Sequence, residues 1–161
     1  MLLKGSCHCQ AVRFSVQSHE PVPFMRCYCS ICRKTAGSGG FAINLGADFK
    51  TLKVKGREQI GVYRAGLGRG NASKARSPAE RHFCQACGSP LWVWDPRWPE
   101  LVHPHAGAID TPLPEPPSAA HIMIGSKANW VAVQQRRGDR LFEAYPGFSL
   151  AQWHEKHGPR G

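Results

Sequence analysis

The stretch RCYCSICRKTAG, residues 26–37, places Cys27, Cys29 and Cys32 within six positions. Thiols this close together are typical of a metal site, because thiolate is a preferred ligand of zinc in proteins. A closed tetrahedral zinc site needs four ligands, and this stretch supplies three. Zinc with three protein ligands keeps one open position, which water or substrate takes in catalytic sites. We therefore predict an open, catalytic zinc site with Cys27, Cys29 and Cys32 as its ligands.

The other four cysteines form two pairs, Cys7-x-Cys9 and Cys84-x-x-Cys87, and Gly88 follows the second pair. In an extended segment, residues i and i+2 project to the same face, so we expect Cys7 and Cys9 to reach one metal. The spacing of Cys84 and Cys87 is that of a zinc knuckle, and Gly88 tolerates the tight backbone that follows. Together the two pairs predict a closed, structural zinc site that joins the N-terminal strand to the middle of the chain.

All seven cysteines fall into these three groups, which argues against simple buried thiols. A redox pair is disfavoured because no thioredoxin-like pattern surrounds either CxxC motif. One alternative stays open: His82, or another of the eight histidines, could complete a second structural site with three cysteines. Tyr28 lies between two ligands and is expected to pack or to face solvent. The core or its rim is the expected place of Trp92, Trp94, Trp98 and Trp130.

The length of 161 residues is most simply that of one domain with a sizeable core. No segment approaches the roughly 18 apolar residues of a membrane span, and residues 1–9, MLLKGSCHC, lack the apolar run of a secretory signal. We therefore expect a cytoplasmic protein with no membrane partner, in which clustered cysteines bind metal rather than form disulfides. The formal net charge of +10 favours an anionic partner, either nucleic acid or a small anionic substrate.

Hydrophobic alternation favours strands over helices. Residues 7–18, CHCQAVRFSVQS, place Val12, Phe14 and Val16 on one face of a half-buried strand. We expect a mobile basic loop over residues 66–80, and only two pieces have the size of a helix, residues 29–37 and 149–158. The chain therefore reads as a mainly β single domain over residues 1–161, with a Pro-rich loop at 112–117 and further strands within 39–46, 51–56, 60–66, 81–95, 101–110 and 121–133.

Three segments of the chain resemble the signature segments of the glutathione-dependent formaldehyde-activating enzyme family, also called the CENP-V/GFA domain. They are KGSCHCQAVRFSV (4–16), RCYCSICRKTAGS (26–38) and RHFCQACGSPLWV (81–93). HIMIGSKANWV (121–131) is similar to a late strand of that family, so the match covers roughly residues 4–133. The resemblance implies a β-tent fold with two zinc ions. It assigns Cys27, Cys29 and Cys32 to the catalytic zinc, and to the structural zinc Cys7, Cys9, Cys84 and Cys87.

The resemblance also implies an activity, the joining of glutathione and formaldehyde to give S-hydroxymethylglutathione. Formally this is a carbon–sulfur lyase reaction run backwards. We therefore expect a zinc-dependent carbon–sulfur lyase that acts on a glutathione-like thiol and formaldehyde, or on a related thiol adduct. A basic rim is expected to attract the carboxylates of the thiol, and its members are Arg33, Lys34, Arg69, Lys74 and Arg76.

A second hypothesis is a non-catalytic zinc module that binds nucleic acid or protein through its basic surface. The net charge and the segment GRGNASKAR, residues 68–76, favour it. However, the positive residues are spread along the chain and lack the interleaved aromatic residues of an RNA-binding motif. No specific nucleic-acid partner is therefore expected.

Overall fold

The computed structural model describes residues 1–68 and 75–158. Within these residues the protein has twelve strands in three sheets and two α-helices, which confirms the mainly β fold. One domain over residues 1–161 stays a prediction. The strands are β1 (Leu2–Ser6), β2 (Arg13–Gln17), β3 (Met25–Cys27), β4 (Ala42–Ile43), β5 (Ala47–Asp48), β6 (Lys53–Lys55), β7 (Ile60–Gly66), β8 (Arg76–Cys84), β9 (Pro90–Trp94), β10 (Leu101–Pro104), β11 (Ala120–Ile122) and β12 (Arg140–Leu141), and the helices are α1 (Ser30–Ala36) and α2 (Leu150–His157).

The N-terminal sheet is antiparallel, with the strand order β1-β2-β6. Val12, Phe14 and Val16 are buried, which confirms the alternation predicted for β2. They share a hydrophobic core with Leu91 of the neighbouring five-stranded sheet. Strand β1 was not predicted because its one large buried side chain, Leu3, shows no periodicity by itself.

The five-stranded sheet has the order β5-β10-β9-β8-β7 and is antiparallel throughout. The predicted loop over residues 66–80 is wrong from Arg76 onward, because β8 begins there. Pro78 favoured a loop, yet it lies where the register between β7 and β8 shifts, and a bulge tolerates a residue without an N–H. The rest of that predicted loop, residues 69–74, lies outside the described residues. Strand β8 therefore runs straight into Cys84.

The four-stranded sheet has the order β12-β11-β3-β4. Strand β11 pairs in parallel with β3, and this register places Ile122 beside Cys27. The strand predicted over 121–133 is wrong beyond Ile122. Met123 adopts a φ of 61°, a left-handed conformation that cannot continue a strand, and a 3₁₀ turn follows at Ile124–Ser126.

Both predicted helices form. Cys29 caps the N-terminus of α1 by accepting a hydrogen bond from the Cys32 backbone N–H. Ser149 and Gln152 form a capping box at the start of α2. In the described part of the chain, neither helix has the length and apolar character that crossing a membrane requires. The cytoplasmic location stays a prediction.

Helix α2 closes a second hydrophobic core beneath β3. The Trp153 ring stacks on Phe24 at 3.8 Å between ring centroids, with 5° between the ring planes. The backbone N–H of Val22 donates a hydrogen bond to Nε2 of His154 over 3.0 Å. Cys27 and Cys32 belong to the same core. The C-terminal helix therefore supports the segment that carries the three clustered cysteines.

Replacing Trp153 with alanine should lower the free energy of unfolding by about 3 kcal/mol, because a large buried ring leaves a cavity against Phe24. Urea unfolding followed by circular dichroism measures this change. The control is Trp130→Ala, since Trp130 is 66% exposed and its loss should cost less than about 0.5 kcal/mol. Equal stability changes in the two variants would contradict the supporting role of α2.

Candidate metal centres

The seven cysteines converge into two groups. In each group the sulfur atoms all lie within 4.8 Å of one another. This partition of thiols is the one that the spacing predicted, and no cysteine forms a disulfide. The assignment of metal ions to the groups stays a prediction. The larger group is Cys7, Cys9, Cys84 and Cys87, and the smaller is Cys27, Cys29 and Cys32.

The larger group joins the end of β1 to the turn between β8 and β9. Cys7 and Cys84 are buried, whereas Cys9 and Cys87 are exposed. The Cys9 sulfur lies 3.5 Å from that of Cys7 and 3.8 Å from that of Cys84. A hydrogen bond from the Ser89 hydroxyl, together with backbone N–H groups, lowers the pKa of Cys87 to about 5. The group can therefore carry thiolate charge, as a zinc ligand must.

Cys7 and Cys9 were expected to lie on the same face of an extended segment, and this expectation is wrong because the segment is a turn. The Gln10 backbone N–H donates to the Cys7 carbonyl over 3.0 Å, and Gln10 has a φ of 66°. The turn, and not an extended strand, brings the two sulfurs together. At the other pair the predicted knuckle is present: Gly88 has a φ of +74° and its N–H donates to the Cys84 carbonyl over 2.8 Å.

The smaller group sits at the junction of β3 and α1. Cys27 ends β3, Cys29 is the N-cap of α1, and Cys32 lies in the first turn of the helix. The Cys32 backbone N–H donates to the Cys29 sulfur over 3.3 Å. Side-chain hydrogen bonds from Cys27 and Cys32, and the backbone N–H groups, lower the pKa of the Cys29 thiol to about 2. Sharing these protons raises the pKa of Cys27. The helix start therefore favours negative charge at Cys29.

No histidine joins the smaller group in the described residues, which include all eight histidines. His82, the alternative fourth ligand, instead stacks on Trp92 with 5.2 Å between ring centroids. Its Nε2 atom lies 3.7 Å from the Glu80 carboxylate. Within the part of the chain that the structure describes, these three sulfurs are the only cluster of metal-ligand type at this junction.

A cavity of about 530 Å³ opens onto the smaller group, and all three of its cysteines line the cavity. The predicted basic rim does not line it: Arg33, Lys34 and Arg76 lie elsewhere, and Arg69 and Lys74 are outside the described residues. The cavity takes its positive charge from two arginines that the sequence analysis did not select. These two arginines are Arg81 of β8 and Arg97, which follows β9.

Arg81 contacts the clustered thiols, because its Nη2 atom donates to the Cys32 sulfur over 4.0 Å. Hydrogen bonding with Cys27 lowers the pKa of Cys32, but hydrogen bonding with Cys29 and burial prevail and raise it, and the charge of Arg81 is a smaller lowering influence. Its Nε and Nη1 atoms are buried and make no hydrogen bond. A guanidinium in such a place needs a nearby negative charge, because burying an unpaired ion is costly. The geometry therefore pairs Arg81 with the thiolates of the smaller group.

A buried hydrogen-bond chain lies behind the smaller group. The Tyr28 hydroxyl is 2.9 Å from Nδ1 of His121, and Nε2 of His121 is 3.3 Å from Oδ2 of Asp139. Tyr28 is thus packed inside the protein, one of the two positions expected for it. The carboxylate also accepts the backbone N–H groups of Ala119 and Arg136 over 2.6 and 2.9 Å. This chain ties the peptide between two clustered cysteines to the C-terminal part of the protein.

The expected tryptophan positions are also partly confirmed. Trp92 is buried and packs edge-on against Phe14 with 5.2 Å between ring centroids. Trp98 lines the rim of the cavity. Trp130 is the exception, because it is largely exposed.

Comparison with known proteins gives a consistent result. A family model described as "Glutathione-dependent formaldehyde-activating enzyme" matches residues 2–126. A protein of Halomonas elongata named "Putative glutathione-dependent formaldehyde-activating enzyme" is 56% identical over 158 residues, which is 98% of each chain. The crystal structure of a Rhodobacter sphaeroides protein is similar with a TM-score of 0.52 and 28% identity, covering 69% of this chain and 91% of that one.

Acid should destabilise the protein partly through Asp139. Burial opposes its ionisation, but the hydrogen bonds from Ala119, Arg136 and His121 prevail and lower its pKa to about 2, from an ordinary value of 3.8. A carboxyl whose pKa is lowered on folding stabilises the protein at pH values above its ordinary pKa of 3.8, and this contribution is lost as the pH falls through about 2. Asp139→Asn should therefore lose about 2 kcal/mol at neutral pH and show a shallower decline in acid. Urea unfolding at several pH values measures both effects, and parallel pH profiles would contradict this origin.

The two sulfur groups should respond differently to the loss of one thiol. Cys84→Ser removes a buried ligand that joins distant segments, so we expect a large fall in melting temperature and the loss of one zinc per chain. Cys29→Ser should also lose one zinc but keep most of the stability. Metal analysis and thermal unfolding test both variants. A Cys84→Ser protein that melts like the wild type with unchanged zinc content would contradict the structural assignment.

Proposed function

Since the chain belongs to the glutathione-dependent formaldehyde-activating enzyme family, we propose that it joins a glutathione-like thiol to formaldehyde. The family model covers residues 2–126 and so includes all seven cysteines. The product of this reaction is S-hydroxymethylglutathione, and the enzyme class is that of a zinc-dependent carbon–sulfur lyase working in the direction of synthesis. The relative from Halomonas elongata, which is named as a glutathione-dependent formaldehyde-activating enzyme, supports the proposal over almost the whole chain.

We assign two zinc ions to the chain. Seven free thiols in two tight groups suit zinc, because soft thiolate ligands select it over harder metals. Four ligands make the closed structural site, with Cys7, Cys9, Cys84 and Cys87. Three ligands leave one position open, with Cys27, Cys29 and Cys32.

The cavity is the observation that carries the catalytic assignment. Cys27, Cys29 and Cys32 line it, and none of the other four cysteines does. A small molecule that enters the cavity therefore meets the three-sulfur group. When bound there, zinc lowers the pKa of an incoming thiol and keeps it as a nucleophilic thiolate.

The residues of the chain have distinct tasks in this reaction. Arg81 balances the negative charge that accumulates as a further thiolate arrives beside Cys32. Apolar side chains of the cavity wall, among them Leu67 and Ile122, limit the access of water to the reacting atoms. Asn44 is held in place by His105, whose Nδ1 atom lies 2.8 Å from the Asn44 amide oxygen, and the amide nitrogen donates toward Cys32 over 4.0 Å.

The chemical step balances without any redox partner. The thiol sulfur forms a bond with the aldehyde carbon, and the electron pair of the carbonyl moves to its oxygen. That oxygen takes up the proton that the thiol gave up on binding. Formaldehyde is a reactive electrophile, so positioning the thiolate in a protected cavity is the main requirement on the protein.

Cobalt substitution tests the proposal directly, because cobalt bound to thiolates absorbs light by charge transfer from sulfur. Adding glutathione should change this absorption in the wild-type protein but not in Cys29→Ser, which should lack the second metal. The wild type should also accelerate the condensation of glutathione with formaldehyde, and Cys29→Ser should lose this acceleration. Mild chelation should first remove about one metal per chain and leave the protein folded, since three ligands bind less tightly than four.

Two outcomes would contradict the proposal. One is a protein ligand seen in the fourth position of the three-cysteine site, together with no spectral response to any small thiol. The other is a tight complex with nucleic acid that shows sequence preference at physiological salt. The positive charge by itself should give only weak nucleic-acid binding, which falls steeply as salt rises.

A further inference from the structure

The open end of the cavity carries two polar side chains that the proposed reaction does not use. Arg97 and Tyr145 both line the cavity, and both are largely exposed. Their exposure places them where the cavity meets solvent. Tyr145 lies in the chain beyond residues 2–126, the part that the family model matches.

Arg97 is held rigidly by one edge of its guanidinium group. Its Nε and Nη2 atoms donate to the two oxygens of Asp95 over 2.9 and 2.6 Å. Asp95 is buried, so this pair does not move with the surface. The guanidinium also lies over the Trp98 ring, 4.9 Å from its centroid. These contacts fix both the plane and the direction of the group.

A guanidinium has a second edge with the same fork geometry. The Nη1 atom and the remaining N–H of Nη2 form this edge, and Asp95 does not occupy it. Such a fork matches the two oxygens of a carboxylate, and fixing it in advance lowers the entropy lost on binding. Arg97 is therefore prepared to bind one more carboxylate.

Tyr145 lines the same cavity as Arg97. Tyr145 contributes to the raised pKa of Arg97, after the larger effect of Asp95. Cys27, Cys29 and Cys32 line this cavity together with Arg97 and Tyr145. The Tyr145 side chain is 75% exposed, and its hydroxyl has no hydrogen-bond partner among the described residues.

The backbone before Tyr145 is well anchored. The Met123 N–H donates to the Ala144 carbonyl over 3.0 Å, and the Ile124 N–H donates to the Phe142 carbonyl over 3.1 Å. Both bonds connect this segment to the end of β11, which pairs with the strand that carries Cys27. The backbone that leads to Tyr145 is therefore held in place by the sheet of the three-cysteine site.

We infer that Arg97 and Tyr145 form a carboxylate-binding site that selects acidic thiols. The carboxylate accepts two hydrogen bonds from the free edge of Arg97 and one from the Tyr145 hydroxyl, while the thiol extends toward Cys27, Cys29 and Cys32. This inference rests on the proposed function and deepens it, because it names the group by which the substrate is recognised. It also replaces the basic rim predicted from the sequence with two other residues.

The test compares glutathione with its dimethyl ester, which keeps the thiol and the size but lacks free carboxylates. Calorimetry on the zinc-loaded full chain, without aldehyde, gives the two dissociation constants. The wild type should bind the acid about tenfold more tightly than the ester, as expected for a hydrogen-bonded charge pair at a partly exposed site. Arg97→Gln should abolish this preference, and Tyr145→Phe should reduce it about threefold.

Matched variants separate recognition from folding. Arg64→Gln is the control for Arg97→Gln, because Arg64 is 55% exposed against 59% for Arg97 and is also paired with a carboxylate, that of Glu80. Tyr63→Phe is the control for Tyr145→Phe, since Tyr63 lines a different cavity. Both controls should keep the wild-type preference. Because Arg97→Gln leaves the buried Asp95 unpaired, Arg97→Lys is measured as well. Lysine keeps the positive charge but lacks the forked pair of N–H groups. The preference of Arg97→Lys for the acid should therefore fall between that of the wild type and that of Arg97→Gln.

The outcomes distinguish this site from the reaction itself. A wild type that forms the adduct but binds acid and ester equally would overturn the carboxylate site and leave the reaction intact. A wild type that prefers the acid but forms no adduct would contradict the reaction and leave the carboxylate site intact. If Arg97→Gln lost the same affinity for the acid as for the ester, Arg97 would have a structural role only. A wild type that binds neither thiol would overturn the site.

Discussion

The convergence of three thiols at the junction of β3 and α1 is the constraint on which the site depends. Three thiols lie within 4.8 Å of one another in a half-buried place, where unpaired thiolates would be unstable. The protein meets this demand from several sides. Backbone N–H groups at the start of α1 stabilise charge on Cys29, and Arg81 extends from the neighbouring sheet to Cys32. A zinc ion bound there, as proposed, would supply the remaining positive charge.

The larger sulfur group has a different physical role. Cys7 and Cys84 lie 77 positions apart in the chain yet share one cluster, so a metal bound there would close a long loop. The cluster joins the N-terminal sheet to the turn that ends β8. Arg81 lies three residues before Cys84 on that strand, so the position of β8 affects both groups. The larger group thus helps to fix the strand that places Arg81 beside the smaller group.

The C-terminal part of the chain completes the cavity that these charges face. Trp153 fills the core beneath β3, and Asp139 connects through His121 to Tyr28, which lies between two of the clustered cysteines. Tyr145, from the same part of the chain, lines the open end of the cavity. The family model ends at residue 126, before Asp139, Tyr145 and Trp153.

The sequence by itself determined the features that depend on local spacing. The three cysteine motifs, the buried face of β2 and the two helices are all readable, because each arises from residues within a few positions of one another. The β8 strand was hidden by Pro78, whose neighbours in sequence suggest a loop while its partner strands hold it extended. Arg81 and Arg97 were equally hidden, because their nearness to the thiols comes from the pairing of strands far apart in the chain. Only the tertiary structure decided which cations face the cavity, since a charge acts through distance in space and the sequence records distance along the chain.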